Sequence, residues 1–166
     1  MKREVLLSAS DGKLESMKNL ASVAYENGEY DEAFYWLLKC AKLGDGVSML
    51  EVSKLYRLGI GVVLNIKKSN KWLKSAIKTK NAEAMVLYAD NLVTGIGVEK
   101  NFKKALRFYK RAYKLGSDQA CYSIGNCFLL GKGVKQNPSK AKEFFTQAAG
   151  QGNPFAFYEL NSKQYS

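Results

Sequence analysis

Cys40, Cys121 and Cys127 are the side chains of this sequence best suited to nucleophilic, redox or metal chemistry, and their number and spacing argue against all three. Three cysteines cannot close into a paired framework, and none belongs to a Cys-x-x-Cys motif. The chain contains no histidine. That removes the commonest general base, and with it every Ser–His or Cys–His arrangement. It also leaves a structural zinc site short of ligands. Carboxylate or lysine chemistry stays open in principle, but no motif points to it. Cys121 and Cys127, six residues apart, fall near opposite faces of one helix. We expect all three cysteines to be reduced, small core residues, and we expect no catalytic residue, no metal and no cofactor.

Glycine pairs offer a second candidate chemistry. Gly59-Ile60-Gly61, Gly95-Ile96-Gly97 and Gly131-Lys132-Gly133 each precede a helical stretch, and Gly-x-Gly before a helix can cradle a phosphate on free N–H groups. The three copies recur every 36 residues and no P-loop lysine motif follows them. A repeated turn explains them better. Val62, Val98 and Val134 follow each pair, Asn65, Asn101 and Asn137 come three residues later, and Ala76, Ala112 and Ala148 close each unit on the same interval. Periods of this length mark stacked repeat architectures.

Each unit carries two apolar periodicities separated by the glycine turn. In the second, helix B, Ser69, Trp72, Leu73, Ala76 and Ile77 fall at i, i+3, i+4, i+7 and i+8, one face of a helix. Ala105, Phe108, Tyr109, Ala112 and Tyr113 repeat the stripe, as do Ala141, Phe144, Phe145, Ala148 and Ala149. Asn65, Asn101 and Asn137 stand at the N-cap, and Pro138 fits the first helical position, where a missing N–H costs nothing. Helix A runs over Val47–Leu58, Glu83–Thr94 and Gln119–Leu130. Small residues Ser48, Ala84 and Ala120 lie near its start. Val52, Tyr88 and Ile124, each followed four residues later by Tyr56, Leu92 and Phe128, form its core stripe. The amino-terminal unit is four residues shorter between its helices, with Asn27-Gly28 as the turn.

The chain has 166 residues, 46% hydrophobic, with two prolines and no polar linker. We read it as a single domain over 1–166, with hairpins at about 13–44, 46–80, 82–116 and 118–151 and partial helices at 2–10 and 154–162. Only three apolar residues follow the basic start, too few for a signal peptide, and no window reaches the length of a membrane helix. A cytoplasmic protein is the expectation.

The spacing Ala-x3-hydrophobic-small-x2-aromatic-x2-Gly-x-Gly-Val-x2-Asn-x3-Ala-x2-aromatic-aromatic-x2-Ala-Ala-x2-Gly resembles the Sel-one-like repeat, a branch of the tetratricopeptide superfamily. The likeness covers about residues 12–160 and is strongest in the last three units. Departures are Ser53 where Gly or Ala is usual, Ser69 for the Ala of helix B, and Lys80 for the closing Gly. Ser53 is expected to loosen one hairpin contact. The resemblance implies an all-α, right-handed solenoid of stacked helical hairpins that binds another protein along its concave side.

By the same resemblance, helix A lines that groove. The positions carried over are Leu50, Lys54, Arg57 and Leu58; then Val86, Asp90, Val93 and Thr94; then Tyr122, Asn126, Leu129 and Leu130. The first unit offers Lys18, Ser22 and Tyr25. The set is apolar for a wet surface, as protein-binding patches are, and Lys54 and Arg57 are expected to meet an acidic group on the ligand.

A second surface is the polar face of helix B. Lys67, Lys68, Lys71, Lys74 and Lys78 are matched 36 residues on by Lys103, Lys104, Arg107, Lys110 and Lys114. Equivalent positions should stack into a basic ladder that holds most of the net charge of +11. Such a ladder is either solvated charge or an anion-attracting surface. The helix B aromatics lie on the core stripe, so a nucleic-acid platform lacks its stacking residues. The expected function is a protein–protein interaction module, as an adaptor or scaffold or as a bacterial immunity protein that neutralises a toxin, with a cognate protein of acidic surface as partner. Binding of nucleic acid or an anionic surface through the ladder is the alternative, and an enzyme is not expected.

Overall fold

The computed structural model describes residues 14–161. The helix expected over residues 2–10 lies outside them. The described residues form nine helices and no strand: α1 Leu14–Glu26, α2 Tyr30–Lys42, α3 Gly46–Leu58, α4 Ile66–Lys78, α5 Ala82–Thr94, α6 Phe102–Tyr113, α7 Asp118–Leu130, α8 Pro138–Gly150 and α9 Pro154–Leu160. Two compact units divide between Asn81 and Ala82. In the first, α1 packs on α2, α2 on α3 and α3 on α4; in the second, α5 packs on α6, α6 on α7, α7 on α8 and α8 on α9.

The helices A begin one residue before the expected positions, at Gly46, Ala82 and Asp118. Asp45 and Ser117 are the reason, since their side chains accept the N–H of Ser48 and Ala120 and cap the first turn. The helices B start where the asparagines dictate. Asn65, Asn101 and Asn137 each accept the N–H three residues on. Each also donates its own N–H to a carbonyl of the preceding helix A, Tyr56, Leu92 or Phe128, at 2.8 Å. That second bond folds the glycine loop onto the last turn of helix A and fixes where the cap can form.

Both glycines of each pair have positive φ, as the turn requires: +71° and +63° at Gly59 and Gly61, +65° and +77° at Gly131 and Gly133. The second glycine has a further role. A Cβ on Gly133 would sit 2.5 Å from the Phe102 carbonyl oxygen, and one on Gly61 would meet the Tyr30 carbonyl. Each therefore lets the loop approach the first turn of the preceding helix B.

The core follows most of the predicted stripes, with Trp72, Phe108, Tyr113 and Phe144 of the helices B only half-buried. Val52, Tyr56, Tyr88, Leu92, Ile124 and Phe128 of the helices A are buried, as are Leu73, Ala76, Tyr109, Ala112, Phe145 and Ala148 of the helices B. Ser53 does not loosen its hairpin. Its hydroxyl lies 2.9 Å from that of Ser69 in a buried hydrogen bond between α3 and α4. The two serine departures from the repeat thus compensate each other, where the equivalent positions in unit two are Ala89 with Ala105 and Gly125 with Ala141. At Gly125 the missing side chain makes room for the Phe145 ring, 2.5 Å from where a Cβ would stand.

Lys80 is the described non-glycine residue with positive φ, +61°. It occupies the helix B terminus that Gly44, Gly116 and Gly152 occupy elsewhere, each with positive φ. Asn81 N–H reaches back to Ala76 O as Asp45, Ser117 and Asn153 reach back to Cys40, Ala112 and Ala148. This is the Schellman arrangement, with a residue in the left-handed region that a Cβ disfavours. Lys80→Gly is expected to raise stability by about 0.5–1 kcal/mol, the relief of strain exceeding the entropy that glycine adds to the unfolded chain. A urea midpoint at or below that of the wild type would show that Lys80 is unstrained.

Candidate protein-binding clefts

In the first unit a cleft of about 560 Å³ opens between α1 and α3. Lys18, Ala21, Ser22, Tyr25 and Glu26 of α1 form one wall, and Val47, Glu51, Lys54 and Leu58 of α3 the other, with Ile60 beyond. Its apolar character comes from side chains that the fold leaves largely exposed: Tyr25 is 47% exposed, Val47 58% and Leu58 63%. The predicted Lys18, Ser22, Tyr25, Lys54 and Leu58 all belong to it.

Two predicted positions do not. Leu50 is 2% exposed and part of the core, and Arg57 is half-buried away from the cleft. Val47, Glu51, Lys54 and Leu58, at i, i+4, i+7 and i+11, are the row that faces outward. Leu50 stands one residue before Glu51, about 100° around the helix, and is turned inward. Lys54 is also not waiting for a ligand carboxylate: its Nζ lies 2.8 Å from Glu51 Oε1. A carboxylate one turn away on the same helix reaches it first.

The second unit shows the same pattern. A depression of about 560 Å³ is lined by Val86 and Asp90 of α5 together with Leu115–Gln119, and a second of about 370 Å³ by Asp90, Val93, Tyr122, Asn126 and Leu130. Val86, equivalent to Leu50, borders the first depression but is only 4% exposed, so it belongs mainly to the core. Tyr122, the third of that row, is held between the rings of Phe145 and Phe155, with centroids 5.6 and 6.0 Å away. Thr94 and Leu129 line neither depression. Thr94 Oγ1 donates back to Asp90 O, and the Leu129 carbonyl accepts from Gln136. Leu130 is well exposed.

Asp90 accepts the Tyr109 hydroxyl at 2.6 Å. Burial first, then the charge of Asp90, raises the Tyr109 phenol above its ordinary value, so this pair is a fixed neutral-donor hydrogen bond. Sequence reasoning missed Tyr109 here because its register places it on the helix B core stripe. It also missed Val47 and Glu51, which share one helix face with Leu58 at 11 and 7 residues ahead of it, and that spacing was the available signal.

A charged junction braces the first cleft from below. Asp45 accepts from the backbone N–H and hydroxyl of Ser48 at 2.8 and 2.6 Å, and Lys18 Nζ lies 3.4 Å from its other oxygen. Burial opposes ionisation of Asp45, but the Ser48 bonds and Lys18 outweigh it and hold the carboxyl below its usual range. A depressed carboxyl stabilises the fold fully above the unfolded value of about 3.9, and that contribution is lost as pH falls through the native value. Asp45→Asn keeps a capping oxygen and removes the charge. We expect the variant to be about 1 kcal/mol less stable at neutral pH, with the difference shrinking below about pH 4. A difference independent of pH between 7 and 2 in urea titrations would remove the charge from the account.

The three cysteines are buried and free, as the sequence suggested. Burial raises the thiols of Cys40 and Cys121 and pushes that of Cys127 up to about 11, which keeps them in the unreactive form. Among the described residues no group of three or more Cys, Asp or Glu side chains is placed to hold a metal.

All ten residues of the predicted basic rows are exposed. Lys67, Lys68, Lys71, Lys74 and Lys78 belong to α4 in the first unit. Lys103, Lys104, Arg107 and Lys110 belong to α6 in the second, with Lys114 as its C-cap. Lys68 rests its ammonium 5.4 Å from the centre of the Tyr56 ring.

The Sel1 repeat profile matches residues 14–45, 46–78, 82–117 and 118–153, the four hairpins described above. The chain belongs to the Sel1 repeat family. Sel1 repeats are in general protein–protein interaction modules. Among solved structures, a Sel1 repeat protein from Oxalobacter formigenes is similar at TM-score 0.81 and 28% identity, over 87% of this chain and 60% of that one. A protective antigen of uropathogenic Escherichia coli strains, displaying an SLR fold, is similar at TM-score 0.86 and 24% identity, over 96% of this chain and 35% of that one. Helicobacter pylori cysteine rich protein B is similar at TM-score 0.60 and 23% identity, over 80% and 95% of the two chains. This Sel1 repeat chain thus spans less than two thirds of the first two. The last two show the shared fold, an all-α solenoid of helical hairpins. A search among curated proteins finds no match.

Proposed function

We propose that this Sel1 repeat chain binds a cognate protein and that the α1–α3 cleft receives a segment of it. The observation that carries the reading is the exposed apolar row in that cleft, Tyr25, Val47 and Leu58. Apolar side chains converging on a concave space of this size favour a partner's side chains over water. The depressions lined by Val93, Asn126 and Leu130 in the second unit are candidate contacts of the same kind.

Its role is that of an adaptor or scaffold, or of an immunity protein that neutralises a toxin, and identification of the captured partner separates the two. No described helix is long and apolar enough to cross a membrane. The buried free thiols fit a reducing compartment, which supports a cytoplasmic location. The reading is tested by capturing the partner with the wild-type chain and with a variant altered at Tyr25 and Leu58; loss of one stoichiometric protein is the expected result.

A further inference from the structure

On α6 the side chains Lys104, Arg107, Phe108 and Arg111 fall at i, i+3, i+4 and i+7 and enclose a notch of about 100 Å³. Phe108 is its half-buried floor. The ring is anchored edge-on against Tyr88 of α5, centroids 5.2 Å apart and planes at 89°. The Arg111 guanidinium lies over the ring, 5.5 Å from its centroid. A guanidinium drawn over an aromatic ring can keep N–H groups free for a carboxylate and has lost part of its side-chain freedom.

The fold explains these cations only in part: Lys110 and Arg111 in the last turn suit the helix dipole, and the others gain nothing from it. α6 contains no acidic residue. Among the described residues, the structure pairs none of Lys103, Lys104, Arg107, Lys110 and Arg111 with a carboxylate. Lys103 and Lys104 sit in the first turn, where the helix dipole disfavours positive charge, while α2 begins with Asp31 and Glu32, which suit it. Lys103 with Arg107, and Arg107 with Arg111, are like charges one turn apart and repel. The hairpins provide an internal comparison, because the same packing is met elsewhere by different residues. The positions of Arg107 and Arg111 are Lys71 and Ser75 in α4, and Glu143 and Gln147 in α8. Hairpin packing therefore does not require the arginine pair.

We propose that this notch is a carboxylate-binding site for an acidic segment of a partner protein. The proposal deepens the protein-binding reading and rests on it, naming the partner's chemistry at a surface separate from the α1–α3 cleft. Two arginines and a lysine around an apolar floor match a glutamate or aspartate side chain, whose methylenes cover the ring while its oxygens take the guanidinium N–H groups. A nucleic-acid strand is the poorer match. A single aromatic ring, shared with Arg111, offers no run of stacking platforms for successive bases.

The test uses the full chain and a fluorescein-labelled, glutamate-rich peptide of about 15 residues, with an oligothymidylate of equal charge as comparison, followed by anisotropy at about 50 and 200 mM salt. The peptide is expected to bind the wild type more tightly than the oligonucleotide does. Arg107→Lys with Arg111→Lys keeps the net charge and is expected to weaken peptide binding about fivefold or more, because lysine cannot form the fork. Arg107→Glu with Arg111→Glu is expected to abolish it. Both pairs are exposed, so the melting temperature is expected to hold. Tighter binding of the oligonucleotide, no peptide binding at the lower salt, or lysine variants that bind as well as the wild type would each overturn the proposal. The cleft variant at Tyr25 and Leu58 is the independent arm. If it still loses the captured partner, only the notch has failed; if it keeps the partner while the notch binds peptide, the cleft reading has failed.

Discussion

Gly133→Ala is expected to cost about 3 kcal/mol of stability, while Gly131→Ala, two residues earlier in the same turn, costs about 1 kcal/mol. Both glycines have the same sign and nearly the same size of φ, +77° and +65°, so the strain of placing a Cβ in the left-handed region is common to both. Their surroundings differ. The nearest atom to a Cβ on Gly131 would be the Gln136 Cβ at 3.5 Å, an ordinary contact. On Gly133 the Cβ would stand 2.5 Å from the Phe102 carbonyl oxygen and 2.6 Å from its carbon. That neighbour is backbone in the first turn of α6 and cannot rotate away, so either the loop or the helix must move. Urea unfolding followed by helical circular dichroism measures the difference. Equal costs at the two glycines would mean that the loop relaxes freely and that the close approach is incidental. Gly61→Ala offers a second case in the first unit, where Trp36 and Trp72 report unfolding by fluorescence.

The turn was legible in the sequence because glycine pairs at a fixed interval, each between two apolar stripes, mark a tight turn that every hairpin repeats. The reason for the second glycine was not, because the Tyr30 and Phe102 carbonyls that crowd it lie 31 residues upstream and reach it only through packing. The N-caps divide in the same way. Asn65, Asn101 and Asn137 announce themselves ahead of an obvious stripe. Asp45 and Ser117, which cap the helices A, keep the repeat interval less visibly because their chemical identity changes from unit to unit.

The candidate site was half legible for a reason that follows from how it was sought. Leu50 and Val86 were expected on the groove because they are apolar at roughly the right place in helix A. They are apolar because they are buried, at 2% and 4% exposure. Among helix A residues, hydrophobicity marks the inner face more often than a binding face. What distinguishes the outer row is its mixture: Val47, Glu51, Lys54 and Leu58 carry two apolar residues flanking an ion pair. An amphipathic helix that presents such a row beside Tyr25 does so at no gain to its own core.

Replacing Tyr25 by serine and Leu58 by aspartate together is expected to weaken partner binding about 100-fold, equivalent to about 2.7 kcal/mol. The size follows from the kind of contact. A tyrosine and a leucine at the centre of a cleft exclude water from a partner's apolar side chain, and an aspartate in the same footprint puts a charge where that side chain must pack, with the nearby Lys54 already paired to Glu51. The two wild-type side chains are 47% and 63% exposed, so the packing lost is mainly the edge-on contact of Tyr25 with Tyr30, and the helicity of the variant should match that of the parent. Val63→Asp is the matched control. Val63 is 87% exposed and lines none of the described clefts, so the same charge placed there should leave affinity unchanged. Capture from host lysate with all three proteins, followed by titration of the purified partner, gives the measurement. If the double variant captures the partner as well as the other two, the cleft is not the binding site. If all three capture only nucleic acid that elutes with salt, the chain is not acting as a protein-binding module and its basic helices become the site.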